Sequence, residues 1–98
     1  MSSSPQRRKA AAVRKAVSIV LSRVLAETRA DKKHFAKRAH ISRPHLYQLV
    51  RGRQQPSLTV FFLLADASEV HAVQFLRQIL TEMATLQDID SSSNKRES

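Results

Sequence analysis

At 98 residues and 11.1 kDa the chain has room for one small domain with tails, which excludes a multidomain enzyme. Forty-two percent of it is apolar but only five percent aromatic, with one Gly, three Pro and no Cys; this favours helices around an aliphatic core and removes disulfides, Cys-ligated metals and thiol nucleophiles together. The net charge of +9 is segregated, with fourteen basic and two acidic residues up to Pro56 against three and six after it, so the first half is expected to face a polyanion.

Met1 to Lys9 is polar and basic and reads as a disordered arm. A first helix is predicted over Ala10 to Arg29, on the stripe Val13, Val17, Val20, Val24 widened by Leu21 and Leu25. A short second helix, about Lys32 to Ala39, has Asp31 as N-cap and Phe35, Ala36 and Ala39 inward. After His40, Ile41 and Ser42 comes a third, with Leu46, Leu49 and Val50 as its apolar face and Gly52 closing it as a left-handed cap. Ser57 caps a fourth helix carrying Leu58, Phe61, Phe62 and Ala65. Because Val60 to Ala65 is apolar throughout, that helix is expected to be the buried centre. The last helix, about His71 to Gln87, repeats Ala72, Leu76, Ile79, Met83 and Leu86 at steps of four and three. Asp90 to Ser98 reads as a second disordered tail. The domain proper is thus expected over residues 10–76, with 77–89 as a helical extension. No apolar run exceeds Val60 to Ala65, so the chain is expected to be soluble and cytoplasmic, with no membrane partner. A transit peptide over Ser2 to Ala26 is disfavoured because its apolar positions are needed to complete the domain core, which cleavage would leave open.

Two short helices about three residues apart make a helix-turn-helix, whose first helix braces on the DNA backbone and whose second lies in the major groove. The stretch FAKRAHISRPHLYQLVRGRQQPSL, with its Arg-Gly pair and its Pro-Ser-Leu, and then LLADASEV, resembles the phage repressor and Cro-type (XRE-like) helix-turn-helix family from about Val13 to Leu76. The resemblance implies an all-α, five-helix, lambda-repressor-like domain with the helix-turn-helix at helices 2 and 3. It also implies sequence-specific duplex DNA binding, usually as a dimer, and transcriptional regulation, most often repression. Three positions depart from the family pattern. His40 and Glu69 stand where Gly is usual, and Pro44 stands where a polar reading residue is frequent.

Arg43 projects from the start of the recognition helix, where its planar fork can pair with guanine O6 and N7; a phosphate clamp is the competing reading. Gln48 suits adenine, Pro44 can touch a thymine methyl, and His45 and Tyr47 are exposed by periodicity and can meet bases or backbone. Lys32 and Lys33 at the second helix, Ser42 in the turn, and Arg51 and Arg53 around Gly52 are the expected phosphate contacts. Lys37 and Arg38 are further cations on that face, of which only part are expected to touch DNA. Arg7, Arg8 and Lys9 in the arm suit the minor groove or the backbone.

The four histidines lack the i, i+4 pairing of a helical metal site and have no nearby carboxylate, and no nucleophile elbow, P-loop or carboxylate pair occurs. No metal, cofactor or catalytic activity is therefore expected. Ile79, Leu80, Met83 and Leu86 extend beyond what a five-helix core needs and are expected to dimerise with a second copy. A fold-back onto Val17, Val20 and Val24 is the competing arrangement. The leading function is a repressor binding an inverted repeat as a homodimer. The alternatives are an antitoxin or autoregulator of a mobile element, with a protein partner on the last helix, and an interaction module that docks protein through its basic face. A basic amphipathic helix at a membrane surface is a third.

Overall fold

The computed structural model describes residues 4–97, with side chains described through Leu86. It is all-α. Five helices run in order, α1 (Pro5–Thr28), α2 (Lys32–Arg38), α3 (Arg43–Val50), α4 (Leu58–Ala67) and α5 (Ala72–Glu97), with no strand among the described residues.

Capping explains most of the boundaries. Ser4, Asp31, Ser42 and Ser57 each sit in extended backbone and accept a hydrogen bond from an N–H two or three residues on, which satisfies one of the free donors of the adjoining helix. Four helices end in a left-handed residue: Arg29 (φ 52°), His40 (φ 58°), Gly52 (φ 73°) and Glu69 (φ 59°). At each end the left-handed residue and its successor donate back to carbonyls of the last turn. For α2 these are His40 N–H to Lys37 O (3.1 Å) and Ile41 N–H to Ala36 O (3.1 Å). His40 and Glu69 thus adopt the conformation that glycine takes most easily, and so does Arg29, which composition did not single out.

α1 begins earlier than its apolar periodicity announces. The Ser4 hydroxyl accepts the Arg7 N–H at 3.2 Å, and Pro5 opens the helix where its missing donor costs nothing. Residues 5–9, expected as a disordered arm, are therefore the first turns of α1; Met1–Ser3 lie outside the described residues. α5 likewise carries its backbone through residues expected as a tail, ending at Glu97.

The centre of the domain is α1, not α4. Ala16, Val17, Val20, Leu21, Val24 and Leu25 are buried against α3 and α5, and Phe35, Leu46, Leu49, Leu64 and Phe75 close around them. Full burial of each such large side chain stabilises by about 1.5–3 kcal/mol. The expectation of a wholly buried α4 is corrected: Leu64, Ala65 and Ala67 are inside, but Leu58 is 71% exposed and Phe62 is also exposed. The C-terminal half of α4 is buried in the core and Val60 and Phe61 pack on its edge, while α1 already fills the middle between α3 and α5.

The expected partner stripe on α5 is divided between the core and the surface. Ile79 is only 5% exposed and Met83 packs against the same core, so both serve this chain's own α1–α5 contact. An ion pair between Arg23 and Glu82 (2.9 Å) spans that contact. Leu80 remains 53% exposed and Leu86 is half-buried. For Ile79 and Met83 the fold-back onto α1 is the arrangement observed.

Candidate nucleic-acid interface

The α2–α3 pair is held from within by Phe35, Ala36, Ala39, Leu46 and Leu49, all buried, with the small Ala36 and Ala39 letting the helices approach. The turn between them closes through His40 and through Ile41, which packs on the core. Arg43 is the first residue of α3 and Pro44 the second, so proline stands where an unpaired N–H would otherwise sit. The far end of α3 is tied to α1: the Ser18 hydroxyl donates to the Val50 carbonyl, and Gly52 passes beside Ser18. A Cβ on Gly52 would meet Ser18 Cβ at 3.5 Å, an ordinary contact, so it is the φ of +73° that calls for glycine there.

With the inner face fixed, the outer one is determined. Arg43, Pro44 and Tyr47 are exposed along one edge of α3, and His45 and Gln48 lie beside them, partly buried. Ser42 accepts the His45 N–H at 3.2 Å, so its Oγ is a cap, with its own hydroxyl proton left to donate. Lys32 is half-buried at the start of α2, and Lys33 next to it is exposed. The start of α2 differs from expectation in one respect. One of its free N–H groups is already taken, because the Asp31 carboxylate accepts from the Lys33 N–H at 3.1 Å. That hydrogen bond, helped by His34, holds the Asp31 carboxyl below its usual pKa. The same carboxylate lies 3.2 Å from His34 Nδ1, correcting the expectation that no histidine has an acid beside it.

Two further features were not legible in the sequence. The Tyr47 ring has Lys32 Nζ and Arg51 Cζ each 5.8 Å from its centroid, so residues from α2, α3 and the α3 cap meet at one aromatic side chain. Arg38, by contrast, donates to the Ala67 carbonyl at the end of α4 and covers the Phe35 ring, and so joins α2 to α4. Arg53 marks the site in another way. In the three other left-handed caps the next residue, Ala30, Ile41 or Val70, packs on the core; after Gly52 it is the exposed Arg53, anchored through its N–H to Gln48 O at 2.9 Å.

Arg7, Arg8 and Lys9 are exposed on α1, and Lys9 borders an apolar groove with Leu58, Phe62, Leu76 and Leu80. Among the described residues no group of three His, Asp or Glu is placed to hold a metal, and no single helix is long and apolar enough to cross a membrane.

Comparison with curated proteins finds no match. Among solved structures, the clp gene regulator ClgR from Corynebacterium glutamicum superposes with a TM-score of 0.74 at 20% identity, over 87% of this chain and 90% of that one, a likeness of fold. A helix-turn-helix family model matches residues 31–75, the segment that runs from the cap of α2 into α5. Over those residues, somewhat under half of the chain, the sequence is similar to helix-turn-helix proteins of the Cro/C1 (XRE-like) type.

Proposed function

We propose that the chain is a transcriptional repressor that binds an inverted repeat in duplex DNA as a homodimer. The helix-turn-helix family supports the coarser part of this reading, a DNA-binding regulator. The observation that carries it is the outer edge of the α2–α3 pair, where exposed Arg43, Pro44 and Tyr47 and the cations Lys32, Lys33, Arg51 and Arg53 surround a helix whose opposite side is fully buried. Arg43, Pro44 and His45 at the start of α3, and Gln48 further along, read base edges. Lys32, Lys33, Ser42, Arg51 and Arg53 hold phosphates, and Arg7, Arg8 and Lys9 add backbone contacts from α1. The likeness to a gene regulator over most of both chains agrees with this use of the fold.

Dimerisation uses the exposed apolar side chains of the C-terminal half. Val73, Leu76 and Leu80 of α5 lie with Leu58 and Phe62 of α4 around one groove, and all five are exposed. Leu80 is retained from the expected stripe, whereas Ile79 and Met83 are occupied within the chain. A two-fold pair joined there presents two α3 helices to half-sites about 34 Å apart. The test is selection of bound fragments from sheared genomic DNA, then titration of the winner over a range of salt. Enrichment of an inverted repeat, with log affinity falling linearly in log salt, is expected. Equal retention of every fragment at all salt concentrations contradicts it.

A further inference from the structure

Tyr47 stands apart from the other exposed residues of α3 because cations from two separate elements converge on it. Lys32 Nζ, from the first residue of α2, and the guanidinium carbon of Arg51, the C-cap of α3 one turn beyond Tyr47, are each 5.8 Å from its ring centroid. This is within the range at which a ring quadrupole attracts a cation. Both cations belong to long side chains that in solvent sample many rotamers and repel each other. A ring that attracts both offsets that repulsion and narrows the positions the two charges occupy before any phosphate arrives.

We infer that Tyr47 is a positioning residue: its ring, and not its hydroxyl, holds Lys32 and Arg51 together as one preformed phosphate clamp. This rests on the DNA-binding reading and sharpens it by giving Tyr47 a positioning role in place of the base contact its exposure on the recognition helix suggested. The clamp spans from the start of α2 to the C-terminal end of α3. The hydroxyl contributes no contact that the clamp needs.

The experiment compares wild type, Tyr47→Leu and Tyr47→Phe on the selected duplex and on a scrambled one, across a salt series, with thermal unfolding of each protein recorded. The expected result is that Tyr47→Leu weakens binding about three- to tenfold on both duplexes alike and with a shallower salt slope, while its unfolding midpoint matches wild type. Tyr47→Phe, which keeps the ring, recovers most of that loss. In a Lys32→Ala/Arg51→Ala background, measured at low salt, Tyr47→Leu has no further effect. A loss confined to the selected duplex, or a Tyr47→Phe protein as weak as Tyr47→Leu, would overturn the clamp in favour of reading through the hydroxyl. Unchanged binding by Tyr47→Leu would overturn it as well. If wild type itself bound neither duplex, the broader DNA-binding reading would fall instead, so the two failures are distinct.

Discussion

The two ends of this small fold are built from the same kind of helix on one core, yet their exteriors are opposite. The α2–α3 end shows solvent Lys33, Arg43, Arg51 and Arg53, and Tyr47 is its one large exposed apolar ring. At the α4–α5 end the exposed large apolar residues are Leu58, Phe62, Val73, Leu76 and Leu80. Burial is satisfied equally in both, so the fold alone does not choose these surfaces. A contiguous apolar face on a soluble protein marks a protein-binding surface, and a cationic edge on a helix marks a polyanion. On the proposed function the contrast divides the work: one end would meet DNA and the other a second copy.

The most drastic way to break the comparison is to remove the core that both ends share. Phe35→Ala should cost about 3–5 kcal/mol and abolish both activities together, read by chemical denaturation. Next, Leu76→Glu with Leu80→Glu should raise the dimer dissociation constant at least about a hundredfold while the monomer keeps its helical circular dichroism, because both side chains are exposed; sedimentation measures the first. The matching lesion at the other end, Arg43→Ala, should leave the dimer intact and lose about 1–3 kcal/mol of discrimination at a single base pair, seen in binding to a panel of point-mutated sites. Lys32→Ala should weaken every duplex alike and reduce the salt slope by about one. The smallest effect sharpens the fold itself. Glu69→Gly, at a φ of 59°, should raise stability by about 0.4–1 kcal/mol without altering either surface, measured as a shift in the denaturation midpoint.

The parts of the structure legible in the sequence were those with a local physical signature. Asp31, Ser57 and Gly52 announced helix ends, and the spacing of Phe35, Ala36, Leu46 and Leu49 announced the inner face of the helix-turn-helix. The start of α1 was equally local, in the Ser4-Pro5 pair, but it lies outside the apolar stripe and so escaped a reading based on periodicity. The outer half of α4 was different in kind. A continuous run such as Val60 to Ala65 has no period, and nothing in it tells that Phe62 faces outward while Leu64 and Ala65 face the core. The stripe on α5 is ambiguous for a related reason: Ile79 and Leu80 are adjacent in sequence, and which of them meets α1 depends on where α1 lies. The convergence on Tyr47 and the bond from Arg38 to Ala67 depend on tertiary placement alone.

The division between the two ends is tested most directly by recording backbone amide shifts while the selected duplex is added to isotope-labelled protein. The account predicts that the large changes fall within Lys32–Arg53 and on the basic first turns of α1, with the exposed leucine face of α4 and α5 unmoved. Changes centred on Leu58, Phe62, Leu76 and Leu80, with α3 silent, would contradict it.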